Sequence, residues 1–127
     1  MRWAILGTGP VSRKFVRDLR RVEGASAAVV ASRRLNNAER FAAEFGIAKA
    51  VDDYEAAARA PEADAVYVAT PASLHEAHAL AAIAAGKPVL VEKPFAIDAA
   101  AARRIAEAAR AAGVFCMEAM WTRFLPL

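Results

Sequence analysis

Glu92-Lys93-Pro94 directly follows the apolar run Val89-Leu90-Val91. Such a run reads as a buried parallel strand, and ligands of open α/β sheets bind just beyond the carboxyl ends of these strands. A lysine placed there is solvated on one side and walled by protein on the other. Partial burial lowers the pKa of a lysine and suits it to proton transfer or to orienting a hydroxyl. Pro94 fixes its own φ and withholds an N–H, which restricts the take-off angle of the lysine. A solvated lysine ending a strand is the plainer alternative.

A second candidate lies near the amino terminus, in Gly7-Thr8-Gly9-Pro10-Val11-Ser12. Gly7 permits a tight turn and Gly9 lets backbone approach a pyrophosphate. The helix that follows offers free N–H groups and a positive dipole end. Pro10 suits a first helical turn because its missing N–H would have been unpaired anyway. Ser12 stands where the dinucleotide fingerprint has its third glycine. It is small enough for close helix–strand packing, and its hydroxyl could donate to a phosphate.

A third signal follows the second strand, where Ala31-Ser32-Arg33-Arg34 replaces the Asp or Glu that usually holds the ribose 2′-hydroxyl of NAD. A serine and arginines attract a 2′-phosphate that a carboxylate would repel. The expected cofactor is therefore NADP rather than NAD, with Ser32 and Arg33 as contacts and Arg34 beside them.

These residues need a scaffold, and the hydrophobic pattern alternates strand and helix throughout. Arg2–Leu6 reads as a strand, followed by a helix over 10–22 with Val11, Phe15, Leu19 and Val22 on its apolar face. A strand over 27–31 precedes a helix with a capping-box-like start at Asn36 and Glu39, closed by Gly46. A short strand over 48–51 leads to a helix capped by Asp52 or Asp53 and ended by Pro61. Next come a strand over 65–69, a helix over 72–85 closed by Gly86, and the strand Val89–Val91. Asp98 caps a helix to about Ala112, with Gly113 after it, and a sixth strand spans 114–117. The fold class is α/β: a doubly wound parallel Rossmann sheet in the order 3-2-1-4-5-6, whose switch point lies between the first and fourth strands.

The 127 residues read as one dinucleotide-binding domain, long enough to bury a core. A content of 57% hydrophobic and 24% charged residues excludes disorder. Mean hydropathy is +0.23, but no uncharged apolar stretch approaches the roughly 18 residues that a membrane span needs. With no signal segment and one cysteine, Cys116, read as core packing, the expected location is the cytoplasm. Net charge is +3, and Arg13, Lys14, Arg17, Arg20 and Arg21 crowd one segment. They lie on a helix face without interleaved aromatic residues, which reads as a solvated face rather than a nucleic-acid surface. No metal and no membrane partner are expected.

Gly7-Thr8-Gly9, Ala69-Thr70-Pro71-Ala72-Ser73-Leu74-His75 and Glu92-Lys93-Pro94 together resemble the glucose–fructose oxidoreductase / inositol dehydrogenase / MocA family along the whole chain. Met117-Glu118-Ala119-Met120-Trp121-Thr122-Arg123-Phe124 and Ser32-Arg33 are similar to its dihydrodiol dehydrogenase and NADP-dependent D-xylose dehydrogenase branch. The resemblance implies that Thr70 and Pro71 line the nicotinamide side of the cofactor, with Leu74 and His75 beside it. For His75, packing or capping at the helix start is the alternative, and His78 reads as structural. Glu92 and Lys93 would reach the nicotinamide ribose and the substrate. Lys93 would be the catalytic lysine, bonding the reacting hydroxyl of a sugar, polyol or dihydrodiol as hydride leaves for nicotinamide. Trp121 and Arg123 would mark the substrate side, although Trp121 could equally be a packing residue.

The resemblance also implies a second, substrate-binding domain that supplies a proton partner, and a homo-oligomer in the full-length family. Leu125-Pro126-Leu127 stands where that domain would begin, so a truncated enzyme that binds NADP(H) with little turnover is expected. A stand-alone NADP(H)-sensing module is the alternative. A third possibility is an assembly role for the apolar Trp121, Phe124 and Leu125.

Overall fold

The central strand, β1 (Arg2–Leu6), is apolar on both sides, and Ala4, Ile5 and Leu6 are fully buried. Because successive side chains of a strand point to opposite faces, Ala4 and Leu6 join one core while Ile5 joins the other. The computed structural model describes residues 1–126. Five more strands flank β1: β2 (Ser26–Ala31), β3 (Lys49–Val51), β4 (Ala65–Val68), β5 (Val89–Val91) and β6 (Cys116–Glu118). All pair in parallel in the order β3-β2-β1-β4-β5-β6, as the alternating pattern predicts.

The crossovers place helices on both faces of the sheet. Helices α1 (Pro10–Leu19) and α2 (Leu35–Phe45) pack with Ile5, Val30 and Tyr67 on one face. Helices α3 (Tyr54–Arg59), α4 (His75–Ala84) and α5 (Ala99–Ala112) cover Leu6, Val29, Val66, Val68 and Val91 on the other. The inward residues of these three helices include Ala57, Ala58, Ala79, Ala82, Ala101 and Ala109, small enough for close approach.

Several expected element limits shift. Helix α1 ends at Leu19 rather than Val22, because Arg21 and Val22 donate back three residues and tighten the last turn. Its buried face is Ser12, Val16 and Leu19; of the predicted apolar face Leu19 is buried and Phe15 packs against the core, whereas Val11 and Val22 do not face inward. Val11 and Val22 are 41% and 56% exposed. The α2 N-cap is Arg34 rather than Asn36, since the Arg34 carbonyl already accepts from Asn37 and no side chain caps the helix. Gly46 adopts the expected left-handed C-cap, and Asp53 caps α3 through the Ala56 N–H. Residues 72–74 form a separate 3-10 turn before α4 begins at His75. Strand β6 starts at Cys116, because the Val114 N–H is consumed by the Ala109 carbonyl at the end of α5.

The basic segment of α1 is largely paired. Arg13 bridges Glu44, Lys14 bridges Asp18, and Arg20 donates to the Phe45 carbonyl. No helix among the described residues is long and apolar enough to cross a membrane. Cys116 is half-buried, and burial pushes its thiol up to about 11. That agrees with the packing role expected of it.

Candidate functional site

Strand register sets the site. Val51, Ala31, Leu6, Val68, Val91 and Glu118 form one row across the sheet. The ladder continues one residue further: the N–H groups of Gly7, Ser32, Ala69, Glu92 and Ala119 donate to Ala31, Val51, Leu6, Val68 and Val91. The predicted loops therefore leave the sheet along a single edge.

The two loop glycines have different reasons. Gly7 has φ +106°, and a Cβ on it would lie 2.5 Å from the Ala69 carbonyl oxygen. The fold itself requires glycine there. A Cβ on Gly9 would meet nothing within 4 Å. Gly9 is also the N-cap of α1 and offers no side-chain cap, so the first amides of α1 stay available. Ser12 is fully buried and its hydroxyl has no partner among the described residues. It packs helix against strand, and it would have to gain solvent access to reach a phosphate.

On the neighbouring loop, Ser32 is buried and in long contact with the Thr8 hydroxyl at 3.5 Å. Arg33 and Arg34 are exposed and form no ion pair among the described residues. The Arg33 N–H donates to the Tyr54 hydroxyl at 3.0 Å.

After β4 the polar groups are closed on one another. Thr70 is buried, with its hydroxyl 2.9 Å from His78 Nδ1. His75 is only 2% exposed, and its Nε2 and Nδ1 lie 2.8 and 2.9 Å from the Thr70 and Pro94 carbonyl oxygens. Its ring is thus engaged by backbone and is not free beside a cofactor, unlike the neighbouring Pro71 and Leu74, which are exposed. Burial, and secondarily His75, holds the His78 imidazole below its ordinary pKa.

After β5, Glu92 accepts from the Tyr67 hydroxyl at 2.7 Å and from the Lys93 N–H at 3.2 Å. Burial first, and then the Glu92 carboxylate, push the Tyr67 hydroxyl upward in pKa, so it remains a donor. The Lys93–Pro94 peptide is cis. Lys93 is exposed rather than partly buried as expected, because no described element covers its open side. It lines an apolar trough of about 370 Å³ with Val11, Phe15, Tyr67, Met117 and Trp121. Trp121 is 65% exposed, and Arg123 does not line the trough. Among the described residues no group of three or more His, Cys, Asp or Glu could hold a metal ion.

A glycine turn with open helix amides, unpaired arginines and a lysine share one sheet edge, and residues 1–120 match the model of the GFO/IDH/MocA oxidoreductase family, NAD-binding Rossmann fold. The chain belongs to this family. Over 128 residues it is 41% identical to trans-1,2-dihydrobenzene-1,2-diol dehydrogenase of Mus musculus, covering 99% of this chain and 38% of that protein. It is 38% identical over 139 residues to D-xylose 1-dehydrogenase (NADP(+)) of Hypocrea jecorina, covering 100% of this chain and 36% of the relative. The structure of KijD10, a 3-ketoreductase from Actinomadura kijaniata in complex with NADP and TDP-benzene, matches with a TM-score of 0.87 at 34% identity. That match covers 94% of this chain and 37% of the other. The chain spans under two-fifths of the length of these relatives.

Membership confirms the Rossmann fold and the oxidoreductase family inferred from the motifs. Within this family's sheet, sequence reasoning passed over three residues that hold the loops. Tyr67 anchors Glu92, Tyr54 anchors the Arg33 backbone, and Glu118 accepts the Phe95 N–H at 2.8 Å. The available signal for Tyr67 was a hydroxyl in an otherwise apolar strand. Nothing local marked the other two.

Proposed function

We propose that the chain is the NADP-binding part of a dehydrogenase that transfers hydride between nicotinamide and a hydroxyl-bearing carbon of a sugar, polyol or dihydrodiol. The observation that carries this reading is the common edge. One residue beyond the aligned strand ends begin the glycine turn, Ser32–Arg33 and Glu92–Lys93, and Thr70–Pro71 begins two residues beyond β4. The fit to a dinucleotide rests on the open space over Gly9 and the uncapped α1 amides, which suit a pyrophosphate. Unpaired Arg33 and Arg34 suit a 2′-phosphate, with Ser32 between them and the Gly7–Ser12 loop.

A bound nicotinamide supplies the hydride acceptor or donor. The chain's own residues orient the reactants. Tyr67 and the Lys93 N–H fix the Glu92 carboxylate beside the lysine. In this reading Lys93 bonds the reacting hydroxyl and assists its deprotonation as hydride leaves, with Trp121 lining the same trough on the substrate side. Lys93 is open to solvent here, so turnover of xylose or a dihydrodiol by these 127 residues should be slow.

Calorimetric titration of the chain with NADPH and NADH tests the cofactor reading. NADPH is expected to bind more tightly, and Arg33→Ala to weaken NADPH by about 10- to 100-fold while leaving NADH unchanged, the loss of a charge-assisted hydrogen bond of about 1.5–3 kcal/mol. Equal affinities of the unmodified chain for the two cofactors would remove the 2′-phosphate assignment.

A further inference from the structure

We infer that His75 is a positioning residue that ties the loop carrying Lys93 to the loop carrying Thr70. The inference deepens the cofactor reading above and rests on it for the consequence on binding, but not for the geometry. Two facts separate His75 from a cofactor contact. Its side chain is closed from solvent, and both ring nitrogens already face backbone carbonyls, Thr70 on one side and Pro94 on the other. Both partners are acceptors, so the ring donates to whichever carbonyl its N–H faces, and to both when each nitrogen carries a proton.

The two carbonyls belong to different crossovers. Thr70 is two residues beyond the end of β4, and Pro94 is three residues beyond the end of β5, next to Lys93. The ring sits on the first residue of α4, whose inward residues His78, Ala79, Ala82 and Ile83 anchor the helix. The Thr70 side is braced again. Its hydroxyl bonds His78, the His78 ring lies 4.4 Å from the Tyr54 ring, and Tyr54 accepts the Arg33 N–H. One contiguous set of contacts therefore runs beneath the edge from the Arg33 loop to the Lys93 loop. On the other side, the segment after Lys93 is tied by the Glu118 carboxylate on the Phe95 N–H and by packing of Phe95 and Ala96 against the core. Removing the imidazole releases the Pro94 carbonyl and loosens the take-off point of Lys93, while Tyr54 still holds the Arg33 N–H and Thr70 keeps its bond to His78.

The test is His75→Ala in the 127-residue chain, read by 1H–15N NMR and by titration with NADPH and 2′,5′-ADP. The second ligand carries the adenosine end alone. The expected result is that the Lys93 and Phe95 amides shift or broaden while those of Thr8 and Val16 stay. NADPH should weaken by about tenfold, with 2′,5′-ADP held within about twofold. A packing role alone would move both ligands together or neither. If the alanine variant does not fold, His75→Gln, which keeps a donor in a similar volume, is expected to give the same pattern at smaller amplitude. A folded His75 variant with Lys93 and Phe95 amides at their original positions overturns the assignment. If the unmodified chain binds neither ligand, the cofactor reading fails, while the amide positions still decide whether His75 holds the loop.

Discussion

The two ends of the sheet treat charge in opposite ways. At the amino ends of the strands, charges are neutralised to close the fold. Arg2 holds Asp64 by its guanidinium at 2.7 and 3.2 Å and by its backbone N–H at 2.7 Å. Lys49 pairs with Glu62 at 3.0 Å, and Lys87 donates to the Ala60 carbonyl. At the carboxyl ends, Arg33, Arg34 and Lys93 form no ion pair among the described residues. The carboxylates there are held instead by uncharged donors, Glu92 by the Tyr67 hydroxyl and Glu118 by the Phe95 N–H. One end uses its cations for the fold. The other leaves them without ion pairs among the described residues, which is the arrangement an anionic cofactor would need.

Gly7→Ala should break the carboxyl end most severely. The new Cβ would lie 2.5 Å from the Ala69 carbonyl at a φ of +106°. Ala69 cannot retreat freely, since its N–H is bonded to Leu6. Positive φ and overpacking together predict a loss of about 2–5 kcal/mol in a urea melt. Gly9→Ala provides the contrast, because its Cβ meets nothing within 4 Å. Stability should hold within about 0.5 kcal/mol while NADPH binding falls. If Gly9→Ala binds NADPH as well as the unmodified chain does, the open space over Gly9 does not receive the pyrophosphate.

Those two glycines show how far the sequence was legible. The strands could be read because the first five carry short apolar runs between turn or polar residues, and strand order follows from the handedness of the crossovers. The placement of Gly7, Arg33, Thr70 and Lys93 on one edge followed from that order alone. The inward face of α1 could not be read, because the helix carries two apolar stripes. Ser12, Val16 and Leu19 face the sheet, whereas Val11 and Phe15 face the trough, where Phe15 stacks on Tyr67 at 3.9 Å. The burial of His75 was legible only as one of two alternatives, packing at the helix start or a place beside the cofactor. Its neighbours Leu74 and Glu76 suggest an open helix start, and Pro94 lies 19 positions away. Lys93 was expected to be solvated on one side and walled on the other; it does line the trough with Phe15 and Tyr67, but it is exposed rather than partly buried.

Tyr67→Phe should have a smaller effect and sharpen the contrast differently. The ring keeps its stack on Phe15, so packing is retained, but Glu92 loses the donor at 2.7 Å. A hydrogen bond to an ionised group contributes about 1.5–3 kcal/mol, and the half-buried carboxylate can recover part of that from water. A loss of about 1–2 kcal/mol is expected at neutral pH. A loss below about 0.5 kcal/mol would mean that Glu92 is already solvated and that Tyr67 does not position it.

The smallest effects should separate the two ends by pH. Asp64 is lowered from 3.8 to about 2, chiefly by the hydrogen bond from the Arg2 side chain and then by the Arg2 backbone N–H. A carboxylate depressed in the folded state contributes stability that is complete above 3.8 and lost as pH falls toward about 2. His78 is also depressed in the folded state, from 6.5, by burial first and by His75 second. The unfolded chain therefore takes up this proton before the folded one does, so stability is complete above 6.5 and begins to fall below it. The carboxyl end should weaken first on acidification and the amino end last. His78→Gln is expected to flatten the upper part of the acid limb and Asp64→Asn the lower part, read as urea midpoints across pH. If Asp64→Asn instead altered the region just below 6.5, or His78→Gln the region near 2, the division of labour between the two ends would be wrong. Each proton belongs to one end because Arg2 and Asp64 close the start of the sheet, whereas His78 supports Thr70 under the edge where Lys93 stands.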